Sequence, residues 1–215
     1  NLSILKYRIK NQLDSYTNKE HYMPLTSESG FHAYLSFINS MVSFKTEQDY
    51  IDYISRLNSI PRYFAQQQAW MEKGLQDGIT QPQVVLEGFE DSIAAFIKDD
   101  VSQSVYFSPF KHFPPHIDSA TQTKLISEVK SVIAEKVMPS YQRYYEFFVK
   151  RYKPNARQNI AATSLPNGKS YYENRVAHYS TLALTPDEIH QIGLAEVSRI
   201  RAEMQKIIDE LMLAE

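Results

Sequence analysis

The sequence contains no cysteine and only six glycines among 215 residues. Without cysteine there is no disulfide, no thiolate metal site and no thiol nucleophile in this stretch, and the redox compartment stays open. Six scattered glycines rule out a phosphate-cradling loop and a dinucleotide fingerprint, which need several glycines at fixed spacing. No apolar run approaches the roughly 18 residues of a membrane span, and the opening Asn1, Leu2, Ser3 does not read as a signal peptide. Charge is balanced: Lys+Arg 23 against Asp+Glu 25 gives a net charge of -2. The basic residues form only isolated pairs such as Arg199 and Arg201, so a nucleic-acid face is not expected. No Ser, His, Asp arrangement for nucleophilic catalysis is recognisable.

What the sequence does have is apolar material at helical spacing. Hydrophobic residues make up 43% of the chain, with 15 Tyr and 11 Phe among them, enough for a packed core. Ile4, Tyr7, Ile9 and Leu13 mark a first helix to about Asn18, followed by a loop through Pro24 and Gly30. Thr46, with Asp49 three residues on, caps a second whose buried face is expected to be Tyr50, Ile51, Ile54 and Leu57. Pro61 starts a third that stops at Gly78. Thr80 is expected to cap a fourth carrying Val84, Val85, Phe89, Ile93, Phe96 and Ile97. Pro109, Pro114 and Pro115 make 107–120 a Pro-rich ordered loop anchored by Phe107, Phe110 and Phe113. From Thr121 a long helix carries Leu125, Val129, Ile133 and Val137, with Pro139 expected to kink or restart it. Tyr141, Tyr144, Tyr145 and Phe148 continue it to Tyr152. After an irregular link, in which Ile160 to Ser164 is the one brief strand candidate, a helix is expected from about Lys169 to Tyr179.

The last helix is the best signalled. Thr185 is its N-cap, Pro186 its first residue, and Glu188 completes a capping box. Ile189, Gly193, Val197, Ile200, Met204, Ile207 or Ile208, and Leu211 then recur every three or four residues as one apolar stripe. No Gly, Asn or Pro follows Leu211. The expectation is an all-α array of seven to nine helices forming a single domain over 1–215, the N-terminal part of a larger protein and incomplete at its C-terminal end. The absent initiator Met points the same way at the front. In such a segment the stripe Ile200, Met204, Ile207, Ile208 and Leu211 is expected to be uncovered.

Candidate chemistry is sparse. His112 and His116 are four apart, the spacing of a helical zinc pair, but Phe113, Pro114 and Pro115 between them forbid a helix. Glu188, Ile189 and His190 have the wrong order and spacing for a metal motif, and Glu188 is better used as the capping carboxylate. Tyr171 and Tyr172 follow an Asn167, Gly168 turn. Adjacent helical residues point about 100 degrees apart, so two neighbouring tyrosines are not both natural core residues, although tyrosines at helical spacing usually are core. A single imidazole such as His178 more often caps or packs than binds.

The run Leu165, Pro166, Asn167, Gly168, Lys169, Ser170, Tyr171, Tyr172, then His178 to Thr181, then Leu184 to Val197, resembles the bacterial family called domain of unknown function 885. Many members of that family carry a lipoprotein description. Phe44, Thr46, Asp49, Tyr50, Tyr53, Leu57 and Pro61, with Gly74, Gly78, Gln81 and Pro82, extend the resemblance to the front of the chain. The resemblance implies a longer, mostly helical, zincin-like metallopeptidase with a His, Glu, x, x, Pro, Gly, His type segment in its later half. That segment is absent here. The implied role is a wall of the substrate cleft of a zinc-dependent hydrolase, with no catalytic residue and no metal ligand in this segment and zinc held elsewhere in the parent. Tyr171, Tyr172 and His178 are the implied substrate-contacting residues. The implied partners are the missing C-terminal half and a peptide substrate, and the implied location is the periplasmic side of the bacterial envelope, lipid-anchored through a Cys upstream of Asn1. The alternative is a non-catalytic envelope protein that binds peptide or glycan.

Overall fold

The computed structural model describes residues 1–211 and is all-α. In chain order the α-helices are α1 (Leu2–Thr17), α2 (Phe31–Leu35), α3 (Ile38–Met41), α4 (Glu47–Asn58), α5 (Ile60–Asp77), α6 (Phe89–Ala94), α7 (Ser119–Val132), α8 (Met138–Phe147), α9 (Gly168–Ser180) and α10 (Pro186–Glu210). Among the described residues β pairing is limited to two isolated bridges, Leu25 with Gly30 and Pro82 with Arg157. The Ile160 to Ser164 strand candidate is instead a 3-10 turn over Ala162–Ser164. Two compact units are present, one of Ser15–Ile160 and one of Asn1–Asp14 with Ala161–Glu215.

In the larger unit the local signals act as their chemistry dictates. The Thr46 hydroxyl accepts from the Asp49 backbone N–H at 3.3 Å, and the Asp49 carboxylate accepts from the Thr46 N–H at 2.8 Å. These bonds satisfy donors that a helix start leaves unpaired. They also hold the exposed Asp49 carboxyl below its ordinary range, chiefly through the Thr46 N–H. The buried face of α4 is Tyr50, Tyr53, Ile54 and Leu57. Ile51, expected inside, is 38% exposed. It lies 100 degrees round from Tyr50, and Tyr53, one turn on, occupies the inward position. α5 ends where Gly78 adopts φ 72°, letting the Ile79 N–H reach the Gly74 carbonyl at 2.7 Å.

The stretch from Thr80 to Ile97 departs from expectation. The chain makes a 3-10 turn over Gln83–Leu86, turns at Gly88 with φ 76°, and only then forms α6. Thr80 does not cap a helix. It is buried, its hydroxyl accepts from the Arg157 backbone N–H at 2.9 Å, and its carbonyl accepts from Arg157 Nε at 2.8 Å. Pro139 stands in the first turn of α8, where a restarted helix tolerates it. A π-helical turn over Ile133–Val137 joins α7 to α8, and widening the helix there relieves the clash a proline makes with the carbonyl four residues back. The expected 107–120 loop is not loop throughout: Val105–Lys111 is a 3-10 helix with Pro109 inside it and buried Phe107 and Phe110, and α7 already begins at Ser119.

The core of this unit is aromatic. Tyr141, Tyr144, Phe148 and Tyr152 present one fully buried face. Against it pack Phe64 at 4.8 Å from Tyr141, Phe31 at 4.7 Å from Tyr144 and Phe89 at 5.1 Å from Phe148, ring centroid to centroid. Buried phenols need partners. Tyr53 donates to the Tyr106 carbonyl at 3.1 Å, the Tyr106 and Tyr141 hydroxyls meet at 2.6 Å, and Tyr141 donates to the His32 carbonyl at 2.7 Å. Since Tyr141 donates onward, Tyr106 is the donor between them. Burial raises the pKa of Tyr53, Tyr106 and Tyr141, so the network stays protonated.

His32 is completely buried among Phe89, Phe96 and Tyr144. Its Nε2 lies 3.1 Å from the Ser92 hydroxyl, which itself donates to the Phe89 carbonyl. The ring therefore carries its proton on Nε2, and Nδ1 has no hydrogen-bond partner. Burial pushes the pKa down from 6.5 to about 4. Protonation is favoured in the unfolded chain, so the stability of the neutral ring is present in full above pH 6.5 and is lost as pH falls toward 4. At 1.36 kcal/mol per unit the loss is about 3 kcal/mol. Thermal melts between pH 7 and pH 4 should show Tm falling across this window, and His32→Leu should flatten that part of the profile.

Candidate functional site

The smaller unit is built differently. Among its described residues the only buried apolar side chain is Leu165, and none belongs to the hydrophobic core. α1 and α10 contain no buried residue. Hydrogen bonds join α1 to α9. Tyr7 donates to the His178 carbonyl at 2.9 Å, and Asn174 Nδ2 donates to Asp14, which also pairs with Lys10 at 2.6 Å.

The start of α9 is set by close approach. Asn167 sits at φ 58° and Gly168 is buried against the Ala162–Ser164 turn. A Cβ on Gly168 would lie 2.4 Å from the Ala162 carbonyl oxygen and 2.6 Å from the Thr163 carbonyl carbon. Only glycine allows that contact. With the start fixed, residues three and four apart line up on one face of α9. Tyr171, Tyr172, Arg175, Val176, Tyr179 and Ser180 face a groove completed by Ala162 and by Ile189 of α10. The Thr185 capping box orients the start of α10: the Thr185 N–H donates to Glu188 Oε2 at 2.7 Å, and the Glu188 N–H donates to the Thr185 hydroxyl at 3.2 Å. The same backbone N–H lowers the pKa of Glu188, which fits a capping carboxylate.

The groove has a volume of about 650 Å³, is open to solvent, and its surface is predominantly apolar. Tyr172 is 43% exposed and Tyr171 is half-buried. The guanidinium carbon of Arg175 lies 5.9 Å from the Tyr171 ring centroid, and Arg175 Nη2 donates to Asn174 Oδ1 at 2.7 Å. Tyr171 and Tyr172 thus come together in one place. His178 does not join them. Its ring lies parallel to Tyr7 with centroids 6.4 Å apart and meets Tyr179 edge-on at 4.9 Å, outside the groove lining. Arg175, Val176, Tyr179 and Ile189 were not singled out from the sequence. The first three follow Tyr171 and Tyr172 at three- and four-residue steps, a signal that was available; Ile189 depends on how α10 returns past α9.

His112 and His116 lie on an exposed non-helical stretch. Among the described residues no group of three or more His, Cys, Asp or Glu side chains is close enough to hold a metal ion. The described residues therefore offer no cluster that would hold zinc unaided. No helix among the described residues is long and apolar enough to cross a membrane. Gly168→Ala should lower stability by about 1–3 kcal/mol through the overpacking it forces, and near-ultraviolet circular dichroism should report a loosened tyrosine environment at the groove.

Comparison with known proteins fits the helical architecture. None of the curated proteins matches the chain. A solved structure described as "the putative lipoprotein from Colwellia psychrerythraea" is similar in fold, with a TM-score of 0.69 at 24% sequence identity. The match covers 79% of this chain and 29% of that one, so this chain spans under a third of the length of the solved protein. The family described as "Bacterial protein of unknown function (DUF885)" matches residues 1–215. The chain is a member of the DUF885 family.

Proposed function

We propose that this chain supplies a substrate-facing wall of a peptide hydrolase, with zinc and its ligands carried by parts of the polypeptide outside these residues. The observation that carries the reading is the open groove in which Tyr171, Tyr172 and Tyr179 offer aromatic surface beside Arg175. Tyrosines that stay accessible in a concave site give flat apolar contact together with a hydroxyl at the rim, which suits the side chains and amides of a peptide. The Ser180 hydroxyl in the lining donates to the Val176 carbonyl at 2.7 Å, and the contribution of the groove in this reading is to bind and orient. The short coverage of the similar lipoprotein leaves room for the catalytic groups elsewhere. That protein's description as a lipoprotein is in keeping with an envelope location, and the periplasmic side and a lipid anchor are part of the same proposal.

The test uses the intact gene product and a library of short peptides, with and without a chelator. Cleavage that the chelator abolishes supports the reading; peptide binding without turnover, unchanged by chelator, would identify a non-catalytic binding protein instead. For a cleaved peptide, Tyr172→Ala should raise KM about 5- to 10-fold and leave kcat nearly unchanged, the signature of lost uniform binding worth about 1 kcal/mol.

A further inference from the structure

We infer that the exposed apolar stripe of α10 receives a helix from another part of the same polypeptide, and that the two helices approach most closely at Gly193. The inference rests on the reading above only in taking the working protein to be longer than these residues. Gly193, Val197, Ile200, Met204, Ile207 and Leu211 follow one another at steps of four, three, four, three and four residues. That spacing keeps one seam facing a neighbouring helix. All five large side chains in it are between 45% and 61% exposed. On one edge of the stripe the charges are paired within the helix: Arg199 holds Glu196 at 2.7 Å and Glu203 at 2.8 Å, and Lys206 lies 3.7 Å from Glu210. The partner that fits the stripe itself is an apolar helix face.

Gly193 identifies the crossing point. Glycine inside a helix is less favourable than alanine, and nothing within 4 Å of its would-be Cβ requires one here. A glycine on the seam lets another backbone come close, as it does at Gly168. The occupant is assigned to the same polypeptide because the unit that carries α10 has a single buried apolar side chain among its described residues. A second uncovered stripe, Leu2, Leu5, Ile9 and Leu13 on α1, belongs to the same unit. Helices so poor in burial do not hold together on their own, and the similar lipoprotein has more than two thirds of its length beyond the matched part.

The test is made on the intact gene product and does not read turnover, so it can fail or succeed apart from the hydrolase reading. Gly193→Ala should lower Tm by several degrees if a helix crosses there; on an uncovered helix the same change raises Tm through helix propensity. As a second measurement, Met204→Cys on the seam should react with a maleimide at least about tenfold more slowly than Ala202→Cys on the opposite face. A raised Tm, equal labelling rates, or slow labelling of Met204→Cys that appears only in a dimer and vanishes in the monomer would overturn the assignment.

Discussion

Apolar burial in this protein is concentrated between residues 15 and 160, and the helices that carry the groove have almost none of it. Burial of apolar surface is the dominant favourable term in folding, so this unevenness governs every other property of the chain. The larger unit holds a continuous core from Leu25 to Ala156 and has the means to fold around it. The smaller unit is held by hydrogen bonds, a buried glycine contact and helix caps. Those devices set direction and register, and each contributes about 1 kcal/mol or less.

Within the core, tyrosine does what leucine does elsewhere, at the cost of a hydroxyl that needs a partner. The chain from Tyr53 through Tyr106 and Tyr141 to the His32 carbonyl supplies partners for three of them. Tyr144, also fully buried, has none, and its phenol pKa is raised well above the ordinary value by burial. The hydroxyls of Tyr53, Tyr106 and Tyr141 are satisfied in one arrangement, which makes that part of the core selective. The groove lies in the other unit, where the tyrosines range from partly buried Tyr171 to largely exposed Tyr179. The same residue type therefore serves as core in one unit and as contact surface in the other, and burial alone distinguishes the two uses.

Local chemistry was legible from residue order. Both capping boxes, Thr46 with Asp49 and Thr185 with Glu188, and the stop at Gly78 depend on residues within a few positions of one another, and all form as read. Features that depend on distant residues were not legible. Thr80 looks like a cap until Arg157, 77 positions later, takes its hydroxyl. Pro139 marked a restart, and α8 begins beside it, but the π-turn that precedes it left no signal in the residue order. Ile51 and Tyr53 compete for one inward position, and only the packed structure shows that Tyr53 holds it. The groove was half visible: Tyr171 and Tyr172 stood out as an unlikely core pair, whereas Ile189 joins them only through the turn between α9 and α10.

The central physical claim is that the helices bearing the groove are completed by contacts outside these residues. Amide hydrogen exchange on the intact gene product tests it most directly, by comparing Pro186–Glu210 with Met138–Phe147. Protection of the apolar-seam amides in α10 that approaches that of α8 is the predicted result. Exchange in α10 at the rate of an isolated, uncovered helix would contradict it.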